Sequence, residues 1–303
     1  MKFISDHKSR FGVEPICRVL TEHGVPIAPS TYYDAIRRPP SARAVRDERL
    51  KAHITRLHAD NYSVYGARKV WLALNRAGTP VARCTVERLM GELGLHGARR
   101  GKPVRTTRAD AGAARAADLV RRQFSPPGPD RLWVADFTYV PAWTGMVYVA
   151  FVIDAYSRRI LGWRAATSMR TALVLDALEH ALWTRQREHR GSLAGLIHHN
   201  DAGTQYTSIA FTERLAAAGI DASVGTVGDA YDNALAESVI GLYKSELIKP
   251  GGPWRTAGQV ELATLNYVDW FNHRRLYKTC GDIPPAELED AYYRQNTGLN
   301  EVA

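Results

Sequence analysis

The sequence predicts an α/β protein in which a mixed β-sheet flanked by helices follows an all-α amino-terminal region. Three strand-like runs, residues 132–140, 146–155 and 159–166, precede alternating predicted helices and strands, an order typical of a mixed sheet with helices on both faces. Charge is also divided: residues 1–128 hold 24 Lys and Arg against 11 Asp and Glu, whereas residues 129–303 hold 16 against 20. The amino-terminal half is therefore the expected binder of nucleic acid.

Residues 1–58 are predicted to form a helical segment that resembles a helix-turn-helix. Helices are expected over residues 13–22 and 30–38, with a glycine-containing turn between them and Pro39 ending the second. A third helix over residues 44–58 carries its apolar side chains on one side, which is the pattern of a packing or linking helix.

Residues 59–108 are predicted to form a second helix-turn-helix-like region that contacts DNA. One helix begins at Tyr65, and another begins at Arg83 and ends at Gly94. Two-helix hairpins are common and many bind nothing, but the basic segment that follows this one is suited to phosphate contacts. The cations predicted to contact DNA are Arg83, Arg88, Arg99, Arg100 and Lys102.

Residues 109–130 are rich in Ala, Arg, Pro and Gly and are predicted to link this region to a larger domain, residues 131–303. The run 146–155 is apolar throughout and is expected to be a central strand. The later elements of the domain are predicted as a helix near 169–188, a strand over 193–199, a helix near 207–218, a strand over 220–226 and a helix carrying Glu237.

Three carboxylates of this domain are candidate ligands for a metal ion. Strand alternation gives Asp136 the face opposite Ala135 and Phe137, and Asp201 comes just after a predicted strand. Glu237 and Lys244, seven residues apart on one predicted helix, project from the same polar face about 10 Å apart. Taken singly, such residues also occur at strand edges, turns and helix surfaces. If the three carboxylates converge, they suit a hard divalent cation.

The motifs around these residues resemble those of the DDE transposases of insertion sequences, specifically the second-frame (OrfB) product of the IS3 family. The resemblance covers most of residues 40–290, and thirty-five residues separate Asp201 from Glu237, as in the family. The motifs are Trp133-x-x-Asp136-x-Thr138-Tyr139, His199-x-Asp201-x-Gly203-x-Gln205-Tyr206, and Asp229-x-x-Asp232-Asn233-Ala234-x-Ala236-Glu237-Ser238 with Lys244.

The resemblance implies a ribonuclease-H-like integrase core with Asp136, Asp201 and Glu237 as the catalytic, metal-binding triad. It implies two Mg²⁺ ions, for which Mn²⁺ can substitute, and phosphoryl transfer that cleaves DNA 3′ ends and joins them to a second strand. Lys244 is then a DNA contact. The implied DNA partners are the terminal inverted repeats of the element and the target. The resemblance also implies a homo-oligomer on DNA and a fusion or partnership with the first-frame (OrfA) protein.

The sequence also bears on the compartment. Its three cysteines, Cys17, Cys84 and Cys280, have neither disulfide-framework nor zinc-site spacing. No signal-peptide-like segment and no continuous apolar run of about 20 residues is present, so we expect a cytoplasmic protein without membrane association.

Two other functions are also compatible with the sequence. One is a domesticated DNA-binding regulator that keeps the fold without transposing, although its intact carboxylates disfavour this. The other is a ribonuclease-H-like nuclease of another pathway, which the basic helical amino-terminal half disfavours.

Overall fold

The structure, a computed structural model, describes residues 1–98, 120, 125–188, 192–201, 205–224 and 234–300. Residues 297–300 are described by their backbone only. The chain divides into two compact units, Met1–His53 and Ile54–Ala303. Each unit contains buried apolar side chains of its own.

The amino-terminal unit is helical, as predicted. Its helices are α1 (Lys2–Phe11), α2 (Val13–Glu22), α3 (Pro29–Arg37) and the first part of α4 (Ala42–Asp60). Ile4, Ile16 and Tyr32 form its core. The helices α2 and α3 confirm the predicted pair, whereas α1 was not predicted because Ile4 is its only buried residue and its apolar pattern is correspondingly short.

The second predicted helical pair is also present, as α5 (Ala67–Arg76) and α6 (Arg83–Glu92), which pack on each other. This pair belongs to the unit that contains the sheet. The Tyr65 hydroxyl accepts the Leu276 backbone N–H at 2.7 Å, and Arg68 donates to the Asp282 carboxylate at 2.7 Å. The hairpin is therefore held to the carboxyl-terminal part of the chain by buried and exposed bonds.

The sheet of this unit has five strands in the order β3-β2-β1-β4-β5. Strands β1, β2 and β3 are antiparallel neighbours, whereas β4 is parallel to both β1 and β5. The predicted central position of the run 146–155 is therefore only partly right, since β2 has neighbours on both sides but β1 is the middle strand. The strands are β1 (Leu132–Ala142), β2 (Gly145–Asp154), β3 (Ile160–Ala166), β4 (Ile197–Asn200) and β5 (Asp221–Val224).

Helices cover both faces of the sheet. Helix α7 packs on β2 and β3, α8 packs on β5, and α9 packs on β1. Among the described residues, no helix has the length and apolar composition needed to cross a membrane. The helical elements are α7 (Thr171–Arg187), α8 (Ile209–Ala217), α9 (Ala234–Tyr243), a π-helical segment (Lys244–Ile248), α10 (Lys249–Gly251), α11 (Ala257–His273), a 3₁₀ turn (Lys278–Cys280) and α12 (Pro285–Asn300).

The strand predicted over residues 193–199 is shorter than expected and ends one residue later. It begins only at Ile197 and includes Asn200. Gly195 has φ +77°, a left-handed conformation that breaks extended backbone. The apolar residues before it therefore belong to a turn, and Asp201 directly follows the strand.

A buried ionic network ties α12 to α7 and to the sheet. The Glu289 carboxylate accepts bonds from the Ser157 hydroxyl and the Arg159 guanidinium, each at 3.0 Å. Arg185 of α7 donates to Glu289 at 3.1 Å and to Asp130 at 2.8 Å. Although burial raises the pKa of Glu289, the bonds and charge of Arg185 outweigh burial and hold it below its ordinary value. The carboxylate is therefore charged and compensated.

The substitution Glu289→Gln should destabilise the fold strongly, because it leaves Arg159 and Arg185 buried without their shared counter-charge. We expect a loss of about 3–5 kcal/mol in the free energy of unfolding, measured by denaturant unfolding. Glu287→Gln is the matched control on the same helix, since its pair with Arg76 is partly exposed. The control should lose no more than about 1 kcal/mol. Equal losses would contradict the structural role of the network.

Candidate active site

Asp136 lies in the middle of β1, on the sheet face that α9 covers. It pairs directly with Phe151 of β2, whose ring lies 5.0 Å from that of Tyr243 in α9. One carboxylate oxygen accepts the Phe137 backbone N–H at 2.7 Å, and the side chain remains partly exposed. Ala135 packs into the core on the opposite face, as strand alternation predicts.

Asp201 is brought beside Asp136 by the parallel pairing of β4 with β1. The last pair of this register joins Ala135 to Asn200. The residue after each member of this pair is an aspartate, Asp136 within β1 and Asp201 just past the end of β4, so the pairing brings the two side by side. Asp201 is exposed, and the Asn200 side-chain amide donates to the Asp201 carbonyl at 2.7 Å. This bond orders the backbone where the strand ends.

Glu237 approaches the same place from α9. Ala236, Val239 and Tyr243 form the fully buried side of this helix, which packs on β1. Glu237 lies in the first turn and is exposed. Leu242 of the same helix is only partly buried. Glu237 is off the buried side, as predicted.

The charges of the other two carboxylates act on Asp136. Burial first, and then the charges of Asp201 and Glu237, raise the pKa of the Asp136 carboxyl to about 8, although the Phe137 N–H and the Lys244 ammonium oppose the shift. Among the described residues, no three His, Cys, Asp or Glu side chains are already gathered into a metal-binding group. A bound cation would lower the raised pKa of Asp136.

Lys244 is the first residue of the π-helical segment. Its ammonium lies 4.9 Å from the centre of the Tyr139 ring and also lowers the pKa of Asp136. Burial lowers the pKa of Lys244, while the charge of Asp136 opposes this. The predicted common face of Glu237 and Lys244 is consistent with the action of both on Asp136.

Buried bonds to Glu246 hold the π-helical segment against the chain that follows it. The buried Glu246 carboxylate accepts bonds from Arg275 at 2.6 and 2.9 Å. It also accepts the Tyr267 hydroxyl at 3.0 Å. These charge-assisted bonds fix the wider helical turn and thereby the position of Lys244.

Of the cations in the amino-terminal half that were predicted to contact DNA, the structure describes only Arg83 and Arg88. Arg83 donates to Glu87 at 2.8 Å and Arg88 donates to Glu92 at 2.6 Å, so each cation already has a carboxylate partner one turn away. Arg99, Arg100 and Lys102 lie outside the described residues, as do Asp229, Asp232 and Asn233 of the third motif.

The two histidines before Asp201 are buried. His199 bonds to the Ser223 hydroxyl at 2.9 Å, a structural contact between β4 and β5. His198 packs against Phe211, and burial lowers its pKa to about 4. Its ring is therefore neutral near pH 7, and neither ring nitrogen has a bonding partner among the described residues.

Tyr206 is a site residue to which the sequence assigned no role. It is buried, and its hydroxyl has no bonding partner in the described part of the chain. Burial, followed by the charges of Asp136 and Asp201, raises its pKa well above the ordinary value. Its place five residues after Asp201, within the second motif, was the available signal.

Family models match most of the chain. A model described as "HTH-like domain" matches residues 45–103. Two models described as "Integrase core domain" match residues 126–230 and 218–285. The second and third matches contain all three candidate carboxylates.

The chain is also similar to insertion-sequence transposases over nearly its full length. It is 67% identical over 271 residues to a putative transposase for insertion sequence element IS986/IS6110 of Mycobacterium tuberculosis, covering 89% of this chain and 98% of the relative. It is 51% identical to the transposase for element IS629 of Shigella sonnei, covering 97% and 96%. It is 30% identical to transposase InsF for insertion sequence IS3A of Escherichia coli, covering 95% and 97%.

The substitution Tyr206→Phe should not destabilise the protein, because it removes a buried hydroxyl that has no partner in the described structure. We expect the free energy of unfolding to stay within about 0.5 kcal/mol of wild type or to increase. Tyr243→Phe is the matched control, because that equally buried hydroxyl bonds to Thr264 at 2.7 Å. The control should lose about 1 kcal/mol. A larger loss for Tyr206→Phe would show that its hydroxyl is bonded in solution.

Proposed function

This chain belongs to the IS3 family of insertion-sequence transposases, and from that premise we propose that it cleaves DNA at the ends of its element and transfers the 3′ ends to other DNA. The observation that carries this proposal is the pairing of β1 with β4, which sets Asp136 beside Asp201 and within electrostatic reach of Glu237. Their roles as catalytic residues are part of the proposal.

The donor set fits Mg²⁺. Asp136, Asp201 and Glu237 offer carboxylate oxygens, which hard divalent cations prefer. Burial, together with the charges of Asp201 and Glu237, raises the pKa of Asp136, and a bound cation would oppose that shift. When bound, two Mg²⁺ ions, or Mn²⁺ in their place, would supply Lewis-acid stabilisation of the charge on the attacking and leaving oxygens.

The side chains of the site would have separate roles in binding metal and DNA. Asp136 and Asp201, fixed by strand pairing, provide the rigid part of the metal site, and Glu237 completes it from α9. Lys244 contacts a phosphate of the reacting strand as a point charge without reading bases. A hydroxyl of water or of a DNA 3′ end attacks the phosphodiester, and the displaced 3′-oxygen leaves with a proton. No side chain has to form a covalent bond to DNA.

We infer a course in which the protein nicks one end of the element and joins its 3′-OH to the other end. The circle that results is later inserted into a target. Bringing two inverted repeats together favours a homo-oligomer on DNA, with the first-frame protein as a fusion or partner. The helical pair α5 and α6, which lies within the segment matched by the HTH-like model, supports DNA binding by this chain.

Substitution of the carboxylates tests the chemistry. Asp136→Asn, Asp201→Asn and Glu237→Gln should each reduce cleavage and joining of a terminal-repeat duplex by at least about a hundredfold, because each removes a ligand charge from the metals. Affinity for the duplex should remain. The measurement is the yield of nicked and joined strands in Mg²⁺ and in EDTA.

Asp221→Asn and Glu213→Gln are the controls, since both side chains are exposed on nearby elements of the same unit. Both should react like wild type. Substantial activity in one of the three site variants would remove that residue from the site, and equal activity in EDTA would remove the metal. Nicking without joining to a second duplex would favour a nuclease over a transposase.

Lys244→Ala tests the phosphate contact. The variant should lower the joining rate more than it lowers affinity for long nonspecific DNA. The slope of log affinity against log salt for the terminal duplex should become about one unit shallower, as expected for one lost contact. Lys278→Ala, an exposed lysine in the same unit, is the control. An unchanged slope with wild-type joining would make Lys244 an ordinary surface charge.

A further inference from the structure

A pocket of about 530 Å³ opens beside Lys244, at the carboxyl-terminal end of β1. Its volume lies within the roughly 300–1,000 Å³ typical of small-molecule sites. Residues of the β1–β2 hairpin line one side, and residues that follow α9 line the other. Those that matter for binding are Tyr139, Trp143, Lys244, Lys249, Pro253 and Trp254.

The hairpin and the segment after α10 are bonded to each other, so the pocket does not depend on loose loops. Ala142 forms a parallel bridge with Trp254, and the Trp143 backbone N–H donates to the Trp254 carbonyl at 3.0 Å. The Trp254 ring is buried and donates to the Ile248 carbonyl at 3.0 Å. A Cβ at Gly251 would lie 2.8 Å from this ring, so only glycine allows such close packing. The base of the pocket is therefore preformed.

The rim of the pocket presents aromatic rings together with cations. Trp143 is 70% exposed and Tyr139 is 47% exposed, which is costly for large apolar side chains unless a partner covers them. The Lys244 ammonium lies 4.9 Å from the Tyr139 ring centre, and the Arg255 guanidinium lies 5.4 Å from that of Trp143. Lys249 is exposed on the same rim. The ligand should therefore combine a flat apolar surface with negative charge.

We propose that this pocket binds one unpaired nucleobase of the DNA strand that passes the carboxylates, stacked on Trp143 and Tyr139. The inference rests on the proposed function, whose site shares Lys244 with the pocket. Lys244 and Lys249 contact the phosphates on either side of the base. A paired base has both faces covered by its neighbours and cannot stack on a side chain, whereas an unpaired base can. The pocket thereby holds the reacting strand apart from its complement near the carboxylates.

Binding of the full chain to a terminal-repeat duplex with a short single-stranded overhang tests the proposal. In the wild type, an abasic site at one overhang position should weaken binding about tenfold, the size of a lost base–aromatic stack. The same abasic site should have a much smaller effect on Trp143→Ala, which has lost one of the two stacking rings. Trp143→Phe should retain most of the wild-type sensitivity because it keeps a ring, whereas Trp143→Leu should not.

Trp183→Ala is the matched control. Trp183 is 54% exposed, and Arg187 lies 5.2 Å from its ring centre, so its setting resembles that of Trp143 outside the pocket. This variant should show the wild-type tenfold effect. If every abasic position weakens the wild type and Trp143→Ala equally, the pocket does not hold a base.

Failure of the inference can be distinguished from failure of the proposed function. Wild-type cleavage in Mg²⁺ combined with equal abasic effects in Trp143→Ala would overturn the pocket and leave the transposase chemistry intact. A position-specific abasic effect that is much smaller in Trp143→Ala would support the pocket, even if the wild type did not cleave the duplex.

Discussion

The parallel pairing of β1 with β4 is the constraint on which the candidate site depends. It is a contact between residues more than sixty positions apart in sequence, and its register makes Asp136 and Asp201 neighbours. A slip of one residue would turn the side chains of β4 to the other face and separate the two carboxylates. Helix α9 then uses the same face, because Tyr243 packs on Phe151, the direct partner of Asp136. The third carboxylate thus arrives by packing rather than by strand pairing.

The change from α-helix to π-helix at Lys244 determines how the Lys244 side chain is presented beside the carboxylates. Glu246, Leu247 and Ile248 of this segment are consecutive and all buried. Arg275 stabilises the segment by bonding to the buried Glu246 carboxylate and offsetting its charge. The Lys244 side chain can then reach outward while the residues after it turn inward.

Local patterns in the sequence predicted the strands and most helices, since alternation and amphipathic spacing are encoded within short windows. They failed where distant contacts decide the outcome. The sequence could not reveal that β1 rather than β2 is the middle strand, because this depends on the pairing with β4. It placed the start of β4 too early, since the apolar residues before Ile197 form a turn at Gly195. The approach of Trp254 to the β1–β2 hairpin and the role of Glu246 likewise arise from tertiary packing.

Lys244 lies between the carboxylates and the aromatic pocket. The negative charge of DNA explains why a cation would be needed at this place. In the proposed complex, a phosphodiester brought to Asp136, Asp201 and Glu237 would add negative charge to a place where burial and the neighbouring carboxylates already raise the pKa of Asp136. If bound there, Mg²⁺ would offset that charge at the reacting phosphate, and the phosphates on either side would need cations of their own. Lys244 lies where it lowers the pKa of Asp136 and also contacts the Tyr139 ring. A DNA strand held there by its bases and flanking phosphates would present its backbone to the carboxylates without the metals having to bind the whole strand.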